Sequence, residues 1–362
     1  VVRLVNNKAN KRSKKEKLLD WLQTALELEL ATIPPYLVAL LSIQLPNNRE
    51  PAELIRSVMV EEMLHLALVA NVLNAVGGRP RLAKDTIPSY PLQMKFEGKV
   101  FEDRKFWIDL APFSEPVIEI FMQIEKPQAP LGSAGFTESI ISVDVPAFTI
   151  GEFYAQIISL LEAMEEESPG NVFVGNPALQ IQKDYYWSGG GQLIAVHDLA
   201  SAKEALNLVI TQGEGAWTSG PGRLAAEFGN PLQMGHYYRF SEIFYGHRYK
   251  QSDDPTKPPT GEKISVDYTK VYPLKKNPQS SDYKATKALQ DLNDQFNYRY
   301  TDMLLELQEA MSGSPKTLYT AIMDSMHHLT PIAHEMMKVW IQPEKTTTGC
   351  PTFEWQTDPS LG

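Results

Sequence analysis

Cysteine is almost absent: Cys350 is the only one in 362 residues. One thiol excludes an intrachain disulfide and any zinc or iron–sulfur site built from several cysteines. Excess positive charge is missing as well. The chain has 34 Lys and Arg against 44 Asp and Glu, a formal net charge of −10, which argues against a broad nucleic-acid surface. The one basic stretch, Lys8 to Lys17, reads as a solvated lead-in to the first helix. No tandem repeat, Gly-rich phosphate loop or low-complexity tract is present. The longest apolar helical runs carry Glu, His or Asn, so none reads as a membrane span. Residues 1–20 lack the apolar core of a secretory signal, and a cytoplasmic location is the expectation.

What is present is an ordinary globular composition, long enough to bury a large core. Residues 16–45 read as a long helix, with Leu18, Leu22, Leu26, Glu29 and Ile33 at three-to-four spacing and Pro34-Pro35 expected to kink it. A second helix over 51–76 opens at Pro51 and closes at Gly77-Gly78. Between Arg79 and Ala147 prolines are frequent, and alternating runs (Leu92 to Phe96, Phe106 to Leu110) suggest strands and ordered loops. Further helices are expected over Gly151–Glu166, Leu199–Glu214, from Met234 onward, and over 283–312 and 316–340, with a polar excursion at 250–282.

The run Leu54 to Val76 is apolar nearly all round, as in a helix buried on most faces. Ionised carboxylates seldom enter such a place unless paired or bound to metal. Yet it contains Glu62-Met63-Leu64-His65, and residues three apart project from one helix face. A Glu followed three residues later by a His is how a helical bundle holds half of a di-iron or di-manganese centre. Glu61 is four residues from His65 and is the alternative; Glu62 is preferred because it continues the stripe Val58, His65, Val69, Leu73.

Four other residues keep two readings open. Glu29 lies on the buried stripe of the first helix, as a ligand or as the partner of a basic or tyrosine side chain, whereas Glu27 falls about 200° round the helix and is a surface candidate. Glu152 either supplies a carboxylate or completes a capping box with Thr149. Glu214 ends the stripe Leu199, Leu206, Ile210 but sits in Gln-Gly-Glu-Gly, where a helix must stop. His236 stands beside Phe240 and Phe244 and is a ligand or a packed core residue. A second Glu-x-x-His would fall at Gln233 to His236, where Gln replaces Glu, and Gln is a poor iron ligand. His327, His328 and His334 read as surface or packing residues.

These segments together resemble the ferritin-like family of the iminophenyl-pyruvate dimer synthases, known from violacein and rebeccamycin-type bisindole pathways. The similar stretches are Glu27 to Tyr36, Glu61 to His65 with Asn71 and Gly77 to Pro80, Thr149 to Tyr154, Gln212 to Gly215, His236 to Ile243 and Pro351 to Glu354. The resemblance implies a mainly α fold, a ferritin-like four-helix bundle with additional C-terminal helices. Residues 1–250 would form the metal-binding bundle with its β/loop insertion, and 251–362 the polar excursion and helices packed on it. It also implies the ligand set Glu29, Glu62, His65, Glu152, Glu214 and His236, holding dinuclear Fe, with Mn as the other metal such donors accept.

The function expected from this is a non-haem iron oxidoreductase of specialised metabolism, acting on an amino-acid-derived or aromatic small molecule with dioxygen or peroxide. Oxidative imine coupling downstream of an amino-acid oxidase is its most specific form. Tyr36 and Tyr154 are candidates to tune the site or carry a proton, and Tyr185, Tyr186 and Trp187 to wall the pocket. The alternatives are metal-assisted coupling of imines without a redox step and a non-catalytic ferritin-like metal-binding protein.

Overall fold

The computed structural model describes residues 13–93, 95–96, 99–100, 106–127, 149–186, 189–213 and 234–357. Helix α1, Lys14–Ser42, starts at a capping box: the Ser13 hydroxyl accepts the Glu16 N–H, and the Glu16 carboxylate accepts the Ser13 N–H. At Pro34-Pro35, where a kink was expected, the helix assignment runs on through both residues. Pro35 leaves the Ala31 carbonyl without its intrahelical donor, and the Tyr90 hydroxyl donates to that oxygen at 2.8 Å.

A short turn reverses the chain into α2, Arg49–Ala75, which packs back along α1. Gly77 ends it at φ +80, where a side chain would be strained. By length and hydropathy α1 and α2 could each cross a bilayer, but 83% of each apolar window is buried inside the protein. They are core helices.

The region expected to be strands and loops contains a helix, α3, Glu115–Ile124, with Pro116 in its first turn and Ile118, Phe121, Met122 and Ile124 buried. The alternating runs pair only briefly among the described residues. Among the described residues of this region, pairing is limited to Lys95–Phe96 with Lys99–Val100 and one bridge between Leu92 and Ile108.

Helices α4, Ile150–Glu167, and α5, Leu199–Gly213, form a second pair that packs on α1 and α2 to complete a four-helix core. Helix α6, His236–Tyr245, lies along α3. The rings of Tyr36 (α1), Phe121 (α3) and Phe240 (α6) meet with centroids 4.5–5.2 Å apart, fastening both short helices to the bundle.

Beyond residue 250 the segment read as a polar excursion is tied to the α1–α2 turn. The Asn48 amide and the backbone of Asp267 exchange hydrogen bonds at 2.8 and 2.6 Å, and Ile264 and Leu274 are buried. Helix α7, Lys287–Ala310, is followed by α8, Thr317–Thr320, a π-helical turn Ala321–Met326, and α9, His327–Lys338. Side chains from both parts of the chain share one hydrophobic core.

Candidate metal centre

Helices α1 and α2 bring Glu29, Glu62 and His65 together at the centre of the bundle, where each is at most 4% exposed. His65 Nδ1 stands 3.3 Å from Glu29 Oε2 and 3.9 Å from Glu62 Oε1. A second group adjoins it. His236, the first residue of α6, places Nδ1 2.9 Å from the same Glu62 Oε1 and 3.5 Å from Glu125 Oε2. In each group of three, Glu29–Glu62–His65 and Glu62–Glu125–His236, one donor atom per residue lies within 4.8 Å of the others. The two imidazoles stack with centroids 5.4 Å apart. Glu62 belongs to both groups.

Glu125 is not among the residues expected from the sequence. It caps the C-terminus of α3 and is buried, with the Tyr36 hydroxyl donating to its Oε1 at 2.5 Å. Glu152, expected as a ligand, is in neither group. Its carboxylate accepts the Thr149 N–H at 2.9 Å and Thr149 Oγ1 accepts its own N–H at 3.0 Å, so the capping box takes the carboxylate. Glu214, Gln233 and Trp187 lie outside the described residues.

Tyr154 places its hydroxyl on Glu29. Glu27, a surface candidate by helix angle, is buried and accepts from the Gln23 amide at 3.0 Å. Tyr186 lines a different cavity, on the far side of α1 and α2. His327 and His328 are exposed and His334 half-buried.

A second layer of contacts fixes which imidazole nitrogen faces inward. The Gln212 amide nitrogen donates to the Gly190 carbonyl at 2.6 Å. Its oxygen therefore faces His65 Nε2, 3.0 Å away. That nitrogen must carry the proton, which leaves the Nδ1 lone pair for the centre. On His236 the acceptor is Glu61, whose Oε2 is 2.9 Å from Nε2. Glu61 is in turn held by Arg239, fully buried, whose Nη2 donates to both carboxylate oxygens at 2.9 Å. Glu61 and Glu62 thus divide the work, one orienting an imidazole and the other joining the two groups.

The electrostatics follow from this packing. Burial opposes ionisation of Glu29, but the hydrogen bond and charge of His65 outweigh it and hold the carboxyl below its usual range. Glu61 is lowered likewise, burial being overcome by His236 and Arg239. Glu62 goes the other way: burial, then the negative charges of Glu125 and Glu29, push it up to about 8. His65 and His236 are both raised, the carboxylates around them overcoming burial. Burial and the adjacent carboxylates push Tyr36 and Tyr154 well above 10, so both hydroxyls keep their protons and act as donors.

This donor set fits a divalent metal. Three carboxylates and two imidazoles, all buried, are the oxygen and nitrogen ligands that iron or manganese accepts. His236 Nδ1 makes no well-formed hydrogen bond despite its close carboxylates, an orphaned buried atom of the kind a metal satisfies. A cation between the groups would also offset the repulsion that raises Glu62.

The sequence model described as ferritin-like matches residues 22–245, the span that holds the whole cluster. Among solved structures, a ferritin-like protein from Caulobacter vibrioides is similar with a TM-score of 0.60 and 21% sequence identity, covering 93% of this chain and 98% of that one. At that identity the likeness speaks for the fold alone. No curated protein matches the chain. A carboxylate and histidine cluster at the centre of a four-helix core, inside a match spanning most of the chain, places this protein in the ferritin-like family.

Proposed function

We propose that the cluster is a dinuclear non-haem metal centre, with iron as its metal, and that the protein is an oxidoreductase acting on an amino-acid-derived or aromatic small molecule. The observation that carries this reading is the position of Glu62 Oε1, 2.9 Å from His236 Nδ1 and 3.9 Å from His65 Nδ1. One carboxylate between two imidazole-containing groups is the arrangement a bridging ligand needs. Glu29 and His65 would complete one metal position, and Glu125 and His236 the other. Iron bound there would supply the one-electron chemistry that the use of dioxygen or peroxide requires.

The chain's own contribution is orientation and exclusion of water. Thr32 Oγ1 donates to Glu62 Oε2 at 2.9 Å, and Tyr36 and Tyr154 hold Glu125 and Glu29. Each ligand carboxylate therefore keeps one oxygen on a hydroxyl and turns the other inward. Leu28, Ile150, Val209 and Ile210 wall the space beside the cluster. That space is about 20 Å³, room for a water-sized molecule such as a small oxidant.

Imine coupling, as the dimer-synthase resemblance implies, would place the protein after an amino-acid oxidase that supplies the imine. The small volume beside the cluster favours a second reading, in which the chain binds and oxidises metal without an organic substrate.

The deciding experiment is metal content per chain after anaerobic loading with ferrous iron, for the native protein and Glu62→Ala, followed by oxygen uptake. About two irons are expected in the native protein, as in bundle dinuclear sites, and almost none in the variant. No specific iron in the native protein would end the metal reading. Oxygen uptake that needs an aromatic imine supports the oxidoreductase; uptake with ferrous iron alone supports the second reading.

A further inference from the structure

Helices α1 and α2 carry a second concavity on their other side, closed over by α7, the π-helical turn and α9. It measures about 450 Å³, within the range of small-molecule sites. It shares no lining residue with the space beside the metal cluster.

Its wall is almost wholly apolar. Six methionines line it (Met59, Met63, Met303, Met311, Met323 and Met326), side chains that adapt to ligands of varied shape. Two features break the apolar surface. Tyr300 lines the cavity, is 2% exposed, and its hydroxyl has no hydrogen-bond partner. At the exposed rim stand Arg56 and His327, and among the described residues no Asp or Glu lines the cavity. Arg56 is thus the one fixed charge among the described lining residues, a local match for an anion. The π-helical turn supplies Ile322, Met323 and Met326 to the same wall, and such turns recur at functional sites. Tyr319 and Met323 leave 49% and 41% of their surface exposed beside it, more apolar area than a closed core would leave.

We propose that this cavity is a binding site, separate from the metal centre, for one small amphiphile with an apolar aliphatic or aromatic body and a single anionic group. The body lies among the methionines and Tyr300, and the anionic group sits at Arg56 and His327.

The test is a fluorescence titration of the full chain with anilinonaphthalene sulfonate, then displacement by decanoate, decanol and decyltrimethylammonium. One saturable site is expected, with decanoate displacing the probe at a concentration at least about tenfold below that of the cation. Arg56→Glu, an exposed position that leaves the fold intact, should weaken both anions roughly fivefold or more. Ala67→Phe, which fills the cavity from α2, should abolish binding while iron content stays unchanged. If Ala67→Phe fails to fold, Arg56→Glu decides alone. The proposal is overturned by the lack of a saturable site, by equal displacement with anion and cation, or by unchanged binding in Arg56→Glu. It is also overturned if the probe is displaced by self-association, which light scattering would reveal and which would assign this face to a second copy of the chain.

Discussion

The two halves of the carboxylate–histidine cluster are built differently. Glu29, Glu62 and His65 come from the interiors of two long helices, where backbone bonds fix each Cα and the side chains inherit that rigidity. Glu125 is the residue just past one short helix and His236 the first residue of another, both helices held to the bundle by three aromatic rings. Their outer contacts differ in kind as well. His65 leans on a neutral amide, Gln212, whereas His236 leans on a carboxylate neutralised by a buried guanidinium. A half placed by helix interiors needs only a light clamp. One placed by helix ends needs a charged one. The second half should therefore be the weaker in metal binding and the costlier to disturb in the fold.

Glu125→Ala is the sharpest way to break that comparison. It removes a carboxylate from the second group alone, so iron per chain should fall from about two to about one, read by the metal analysis already described. If both irons are lost, the halves are not separable and Glu125 serves both. If neither is lost, Glu125 is not a ligand.

The outer contacts give the next largest effects, on different observables. Arg239→Met strips Glu61 of its guanidinium inside the core. Leaving one partner of a buried ion pair behind costs about 3–5 kcal/mol, so thermal unfolding of the metal-free protein should shift down by several degrees. Gln212→Leu removes only the orienting amide of His65. Loss of such a contact costs roughly 10–100-fold in metal affinity, measured by competition with a chelator, with a smaller change in melting. A reversal of the two outcomes would mean that the charged clamp serves ligation and the neutral one the fold.

The same contrast explains what could be read from the sequence. Glu29, Glu62 and His65 were legible as a set because each interrupts an apolar helical stripe, and burial of a charge needs a reason. The fold class was legible for a similar cause, since long runs with helical period leave few alternatives. Glu125 was not. It follows a ten-residue helix in a proline-rich stretch, and its pairing with Tyr36 spans 89 positions that no local pattern connects. The apolar spacing of Val117, Ile118, Phe121, Met122 and Ile124 could have revealed the helix, though not the role of the residue after it. Glu152 is a different case: one motif carried two readings, and the structure displays the short-range one, the capping box of Thr149 and Glu152. The Ala31 carbonyl that Pro35 leaves free in α1 is satisfied by Tyr90, a contact 59 residues away that no local pattern announces.

Thr32→Val should give the smallest effect, and it tests whether the shared ligand is tuned. Thr32 Oγ1 donates to Glu62 Oε2, and a donor to a carboxylate favours its ionised form. Glu62 is already raised to about 8 by burial and the charges of Glu125 and Glu29, so below that pH it holds a proton that metal must displace. The sign follows. Metal affinity should rise with pH up to that region and level off above it. In the metal-free protein a carboxyl raised above its unfolded value contributes stability that is full below the unfolded pKa and is lost as pH climbs to the folded one. Removing the hydroxyl deletes a hydrogen bond worth about 1 kcal/mol, so the loading midpoint should move upward by up to about one pH unit, read as iron uptake against pH. A downward move would mean that the hydroxyl holds Glu62 protonated, with its oxygen as the acceptor.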